Sequence, residues 1–157
     1  MAFSVFISHS VSDLNVVYQF KYWLEVNGIG VYVADNQPQL GVQLPVKVSN
    51  GINQSDCVIA ILTQNGDRSA WVNQEIGYAK ATGKLVIPVV EQGVNPKGFV
   101  AGVEYVTFQP FDPAKAINNV INYVSRLKAT KEQQQQLQAG LFVLFGIIAL
   151  AALSQNK

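Results

Sequence analysis

Cys57-Val-Ile-Ala-Ile-Leu62 is an unbroken apolar run near the middle of a chain of 157 residues. Apolar runs of this length, rich in β-branched residues, are typical of central strands in a parallel sheet, because both faces of such strands are covered. Comparable runs recur along the chain at Phe3–Ser8, Ile29–Val33, Leu85–Val90 and Tyr105–Phe108. Longer amphipathic stretches separate them, and strands that alternate with helices indicate crossover connections and a parallel sheet.

Capping residues mark the predicted helices between these strands. Ser10-Val-Ser-Asp13 has the spacing of a capping box, and Asn27-Gly28 can end the helix because glycine readily adopts the left-handed cap conformation. The buried face of this first helix is predicted to carry Val16, Phe20, Trp23 and Leu24. The other predicted helices are Val46–Asn53, Ser69–Thr82 and Asp112–Lys128. Together these elements predict a flavodoxin-like, doubly wound α/β domain with a five-stranded parallel sheet over residues 1–128.

The chain changes character after this domain. Residues 129–138 are polar and rich in Gln, and they predict either a linker or the exposed start of a helix. Residues 139–153 contain no polar side chain. They predict an apolar helix about 22 Å long, short for a hydrocarbon core of about 30 Å. We expect it either to anchor the protein in a membrane or to pack against other copies in an oligomer. Lys128 and Lys131 precede it and favour a cytoplasmic location for the main domain.

Composition argues against several classes of function. Only 13% of residues are charged and the net charge is +1, whereas a nucleic-acid-binding surface needs a basic stripe to neutralise phosphates. No nucleic-acid partner is therefore expected. One cysteine and one histidine cannot form an internal disulfide or the familiar zinc sites, so no metal is expected. No basic leader or small-residue cleavage site follows Met1, and a signal peptide is not predicted.

Ligands of doubly wound folds bind beyond the carboxyl ends of the strands. In this chain that edge carries Ser8-His9-Ser10 after the first strand, Asp35–Gly41 after the second and Thr63–Ser69 after the third. None of these loops has the glycine pattern of a Rossmann or Walker nucleotide site. A bound nucleotide would therefore be held in another way.

Glu75 differs from the other acidic residues because it lies within a predicted helix, in Trp71-Val-Asn-Gln-Glu75. If Val72, Ile76 and Ala79 seal the core, helical spacing turns Trp71 and Glu75 towards the edge of the sheet. Glu75 is then a candidate catalytic carboxylate. The alternative is a surface Glu beside a half-buried Trp.

Three further side chains have two interpretations each. His9 has no evident titratable partner for a general-base role, and we expect it to line a pocket as a polar residue. Cys57 begins the most apolar strand, so a buried small hydrophobe is favoured over a nucleophile. Tyr78 is expected either to line the pocket or to cover the edge of the core.

Several motifs, in this order, resemble the Toll/interleukin-1 receptor (TIR) domain family. Phe3-Ser-Val-Phe-Ile-Ser-His-Ser-Val-Ser-Asp13 is similar to the opening motif, and Asp35 to Gly41 resembles the loop after the second strand. Ser69-Ala-Trp-Val-Asn-Gln-Glu75 resembles the W-x-x-x-E motif of the TIR domains that consume NAD. Ile76 to Val90 continues the match, so the resemblance covers about residues 1–128.

The resemblance implies an NAD glycohydrolase, or a cyclase that makes a cyclic ADP-ribose isomer, in a prokaryotic defence or signalling pathway. Glu75 falls on the family's catalytic glutamate and Trp71 on its motif tryptophan. The loop that lines the nucleotide pocket falls on Ser8, His9 and Ser10. The loop used for substrate access and self-association falls on Asp35 to Leu44. NAD would be the substrate, and no cofactor is expected.

One carboxylate is sufficient for such a reaction, because the nicotinamide of NAD is already cationic and leaves as a neutral molecule without a general acid. An ionised Glu near the ribose would stabilise the oxocarbenium-like charge. The alternative is a non-catalytic TIR adaptor that acts through TIR–TIR assembly, which needs association surfaces but no glutamate at this edge. A flavodoxin-like response or redox protein is disfavoured, because the sequence has no acidic cluster beside a phospho-acceptor and no phosphate loop after the first strand.

Overall fold

The computed structural model describes residues 2–33, 44–64 and 69–154. Its sheet consists of the strands β1 Ser4–Ser8, β2 Gly30–Val33, β3 Cys57–Leu62, β4 Leu85–Glu91 and β5 Val106–Phe108. All neighbouring strands are parallel and their order is β2-β1-β3-β4-β5. This is the flavodoxin-like order, so the predicted five-stranded doubly wound sheet is confirmed.

Helices alternate with the strands along the chain. They are α1 Leu14–Val26, α2 Leu44–Gln54, α3 Ala70–Ala81 and α4 Ala114–Ser154. The chain divides into two compact units, Met1–Ile121 and Asn122–Lys157, and the boundary falls within α4. The sheet and the helices α1, α2 and α3 belong to the first unit.

The two faces of the sheet are buried by different helices. Side chains of Phe6, Val58, Ala60, Val86 and Val90 form one core cluster with residues of α2 and α3. The alternate residues of the same strands point to the opposite face and are also buried, among them Val5, Ile7, Ile59 and Val89. The buried residues of α1 are Val16, Val17, Phe20 and Leu24. A sheet buried on both faces explains why its strands are uniformly apolar instead of alternating.

Register brings the carboxyl ends of the central strands to one edge. Ser8 at the end of β1 is paired with Ala60 in β3, and Leu62 at the end of β3 is paired with Val90 in β4. Parallel strands all end on the same side, so residues that follow β1 and β3 share the edge where α3 begins. The site described below lies there.

The prediction for α1 is wrong at Trp23. Val16, Phe20 and Leu24 are buried as predicted, but Trp23 is 48% exposed and its ring meets Tyr22 edge-on, with centroids 5.2 Å apart. At about 100° per residue, the buried side chains of α1 extend from Val16 to Val17, and Trp23 lies about 20° beyond Val16, just outside this stripe. The helix also begins differently, since Ser10 caps a short 3₁₀ turn, Val11–Asp13, and α1 itself begins at Leu14.

The predicted end of the last helix at Lys128 is also wrong. Helix α4 continues without interruption to Ser154, so residues 129–138 are helical and predominantly exposed. The stretch contains no Gly or Pro, and Gln, Lys, Glu and Leu are good helix formers. The apolar C-terminal helix predicted for residues 139–153 is confirmed as the last part of α4.

Candidate active site

Helix α3 presents one face to the sheet and another to a cavity. Ser69 precedes the helix, and its hydroxyl oxygen accepts a hydrogen bond from the backbone N–H of Val72. Val72, Ile76 and Ala79 are fully buried, as the sequence predicts. This arrangement turns the neighbouring face of the helix towards α2.

A cavity of about 210 Å³ lies between α2 and α3. Its lining residues on α2 are Val48, Ser49 and Ile52, and those on α3 are Trp71, Gln74, Glu75 and Tyr78. The volume is below the usual range of about 300–1,000 Å³ for pockets that enclose a small molecule. The space that the described residues leave between these helices is therefore smaller than a pocket that encloses a whole small molecule.

Glu75 is the acidic side chain of this cavity. It is only 3% exposed, and its Oε2 accepts a hydrogen bond from the hydroxyl of Ser8 at the end of β1. The alternative of a surface Glu is therefore wrong. The other oxygen, Oε1, is buried and has no hydrogen-bond partner among the residues that the structure describes. Thus Oε2 of Glu75 is hydrogen-bonded to Ser8, whereas Oε1 can still accept a hydrogen bond from a ligand.

Burial changes the acidity of this carboxyl group. Desolvation raises the pKa of Glu75 from 4.5 to about 7, because the charged form loses its hydration. The hydrogen bond from Ser8 acts in the opposite direction, as does the Trp71 side chain, since both favour the carboxylate. The neutral and the charged form of Glu75 are therefore both accessible near neutral pH. Perturbed acidity beside a cavity is a common property of functional sites.

The consecutive residues Ser8, His9 and Ser10 differ in their position relative to the cavity. Ser8 is fully buried and contacts Glu75, so it supports the carboxylate and does not line the cavity. His9 is buried, and its Nδ1 donates to the carbonyl oxygen of Ser10 at 2.7 Å, because a carbonyl can only accept. Its Nε2 is buried without a partner in the described part of the chain. Neither His9 nor Ser10 lines the cavity between α2 and α3.

A second buried polar contact lies at the same edge of the sheet. The hydroxyl of Thr63, directly after β3, donates to Oδ2 of Asp13 at 2.7 Å, and both side chains are buried. The sequence explains Asp13 as a helix-start residue, whereas its carboxylate makes no side-chain cap to α1. A long-range partner 50 residues away gives no signal in the local pattern.

Helix α2 forms a wall of the cavity, and the sequence pattern does not predict this role. Val48 and Ile52 are four residues apart and share a face, which predicts an apolar surface but not its neighbour. Tyr78 lines the cavity, and its hydroxyl oxygen accepts a hydrogen bond from the side-chain amide of Asn53 at 2.9 Å. The structure thus decides between the two interpretations of Tyr78.

Two of the predicted substrate contacts involve side chains outside the described part of the structure. Asp35 lies outside the described residues. Leu44 is the first residue of α2, but its side chain is outside the described part of the structure. Their assignment to substrate access stays a prediction.

Cys57 is confirmed as a buried thiol. It is 1% exposed at the start of β3, and burial raises its pKa to about 12. A thiol of this kind is neutral at physiological pH and inaccessible, so it is no nucleophile.

Comparison with known proteins identifies the family. The family model of the TIR domain matches residues 5–121, and the chain belongs to this family. A curated relative from Methanobrevibacter olleyae, the "Probable 2' cyclic ADP-D-ribose synthase TcpO", is 30% identical over 74 residues. That alignment covers 46% of this chain and 22% of the relative, so the chain spans about a fifth of the length of the curated protein it matches.

Solved structures show the same fold at low sequence identity. The TIR domain of the Toll-related receptor TRR-2 from Hydra magnipapillata superposes with a TM-score of 0.65 at 15% identity, over 77% of this chain and 97% of that one. The CMP N-glycosidase BcmB from Clostridium botulinum superposes with a TM-score of 0.58 at 20% identity, over 76% of this chain and 98% of that one.

Proposed function

We propose that this TIR domain cleaves the bond between nicotinamide and ribose in NAD⁺, releasing nicotinamide and either ADP-ribose or a cyclic ADP-ribose isomer. The observation that supports the proposal most directly is Glu75, a buried carboxyl group beside a cavity, with one oxygen held by Ser8 and the other unpartnered among the described residues. The relative named as a cyclic ADP-ribose synthase is consistent with it.

The proposed reaction requires little beyond one negative charge. The C1′–N bond breaks, its electron pair stays on the nicotinamide nitrogen, and the positive charge moves to the ribosyl carbon and ring oxygen. An ionised Glu75 stabilises this charge electrostatically, and its Oε1, which has no partner among the described residues, can accept a hydrogen bond from a ribose hydroxyl. Water as the acceptor gives ADP-ribose, whereas a hydroxyl or ring nitrogen of the same molecule gives a cyclic product.

The environment of the carboxylate strengthens such an interaction. Charges attract more strongly in a poorly solvated cavity than in water, and Glu75 is largely removed from solvent. The same burial raises its pKa to about 7, so we expect turnover to increase with pH through the neutral range as Glu75 ionises. Trp71 lines the cavity beside it and offers a flat surface on which a ring of the substrate can stack.

The decisive experiment compares nicotinamide release from NAD⁺ by the wild-type protein and by Glu75→Gln. The substitution keeps size and an acceptor for Ser8 but removes the charge, and we expect turnover to fall by at least about a hundredfold. The matched control is Glu25→Gln, an exposed helical residue paired with Lys21, which should retain wild-type turnover. Equal rates for wild type and Glu75→Gln would exclude the proposal.

Product analysis distinguishes the branches of the reaction. Mass spectrometry after incubation with NAD⁺ separates ADP-ribose from cyclic ADP-ribose, which contains one water less because no water is added to the ribosyl carbon. CMP serves as a comparison substrate, because a CMP N-glycosidase shares the fold. Cleavage of CMP in preference to NAD⁺ would move the proposal to another N-ribosyl substrate.

The second candidate is a non-catalytic TIR adaptor that acts through self-association. It predicts no nicotinamide release under any condition and a change in assembly when the partner-binding surface is altered. The buried Glu75, whose pKa is raised, favours the enzyme, since an adaptor gains nothing from a carboxyl group whose charged form is destabilised. An enzyme that consumes NAD⁺ in defence or signalling would act in the cytoplasm, with TIR–TIR assembly controlling its activity.

A further inference from the structure

The C-terminal part of α4 exposes apolar side chains that no other described element covers. They are Leu141, Phe142, Val143, Leu144, Phe145, Ile147, Ile148 and Leu150, with exposed fractions between 54% and 78%. Among the described residues, one helical stretch, Ala114–Ala151, is long and apolar enough to span a membrane, and the most apolar window within it is 0% buried. A Cβ built at Gly140 or Gly146 would meet no atom within 4 Å among the described residues. The segment of residues 139–153 is called the apolar segment below.

The distribution of these side chains around the helix indicates what covers them. Consecutive residues in a helix are about 100° apart, so residues 141–145 point in every direction around the axis. A helix that docks on another protein needs one apolar stripe and keeps polar residues on the opposite side. The apolar segment has no polar side chain on any side. Its natural surroundings must therefore enclose it completely, as lipid does.

Length and flanking charge agree with this environment. The 17 residues from Leu137 to Leu153, about 25 Å of helix, lie at the lower end of the range that spans a bilayer. A short span is accommodated by local thinning and by polar flanking residues that reach the interface. Lys128 and Lys131 precede the segment on the side of the TIR domain, and basic flanks stay on the cytoplasmic side.

We infer that residues 139–153 insert into a lipid bilayer and anchor the TIR domain to the cytoplasmic face of a membrane. The inference is independent of the proposed reaction, because it depends on no residue of the cavity. It assigns the exposed apolar surface to lipid and not to a second copy of the chain.

The test is flotation of the full chain, synthesised in a cell-free reaction with vesicles of phosphatidylcholine alone or phosphatidylcholine with phosphatidylglycerol. We expect the protein to float with both kinds of vesicle and to stay bound in about 1 M salt, where surface charge attraction is screened. Ile147→Lys places a charge in the middle of the apolar segment and should lower vesicle partitioning about a hundredfold. The matched control, Gln135→Lys, adds the same charge in the exposed polar part of the same helix and should float like wild type.

A second variant separates lipid from a protein partner. Scrambling the order of residues 139–153 preserves their hydrophobicity but destroys any specific helix–helix packing, so we expect unchanged flotation. Glu75→Gln should also float normally, which keeps this test apart from that of the proposed reaction. A wild-type chain that stays in the aqueous fraction as a defined oligomer, or binding that requires anionic lipid and is lost in salt, would overturn the inference.

Discussion

Replacing Glu75 by Gln should change how the stability of the protein depends on pH, whatever the protein catalyses. The pKa of Glu75 is raised from 4.5 to about 7 on folding, chiefly by desolvation. The folded state therefore binds a proton that the unfolded state has already lost between these values. The contribution of Glu75 to the free energy of unfolding has its full value below about pH 4.5 and is lost as the pH rises through about 7.

The rise in the pKa of Glu75 on folding sets the size of the effect. From about pH 5 to about pH 8, ionisation of Glu75 should lower the free energy of unfolding by roughly 2–3 kcal/mol, from the linkage between proton binding and stability. Glu75→Gln has no ionisable group there and should lack this component, so the variant should be more stable than wild type above neutral pH. The exposed Glu25→Gln variant controls for the loss of a charge.

Urea unfolding of the full chain in a mild detergent, followed by tryptophan fluorescence, measures the difference at several pH values. For each protein, the change in unfolding free energy between about pH 5 and about pH 8 is determined. The change in Glu75→Gln is then subtracted from that in wild type. An identical pH dependence for wild type and Glu75→Gln would contradict the burial of the carboxyl group, and with it the reasoning that makes Glu75 the centre of the site.

Two further substitutions examine the buried polar contacts at this edge of the sheet. Ser8→Ala removes the hydrogen bond that favours the charged carboxylate, so the pKa of Glu75 should increase further. The pH at which nicotinamide release reaches half of its maximum should then increase as well. Ser55→Ala removes another buried seryl donor, away from Glu75, and should leave this pH unchanged. Thr63→Val leaves the buried Asp13 carboxylate without this donor and should lower the unfolding free energy by about 1–3 kcal/mol. The exposed Thr82→Val is its control, and equal losses in the two threonine variants would show that the Asp13 contact contributes nothing particular.

Much of the fold follows from local pattern. The strand β3 coincides with the apolar run Cys57–Leu62, and α3 lies between Ser69 and Gly83 as its cap residues predict. The sheet order then follows, because crossover connections between short parallel strands leave few arrangements. The two errors have different causes. Trp23 lies at the margin of the apolar stripe of α1, where residue type alone does not decide exposure. Residues 129–138 extend α4 although they are predominantly exposed, because they are good helix formers.

Some features of the candidate site follow from local sequence, and others depend on packing. Sequence alone determined that Trp71 and Glu75 share a helical face beside the core positions Val72 and Ile76, since 3.6 residues per turn leave no other choice. Two features depend on three-dimensional packing: the Ser8 hydroxyl, 67 residues away, supports the Glu75 carboxylate, and α2 forms the opposite wall of the cavity. Helical periodicity is a property of neighbouring residues, whereas desolvation of a carboxyl group depends on every atom that replaces water around it.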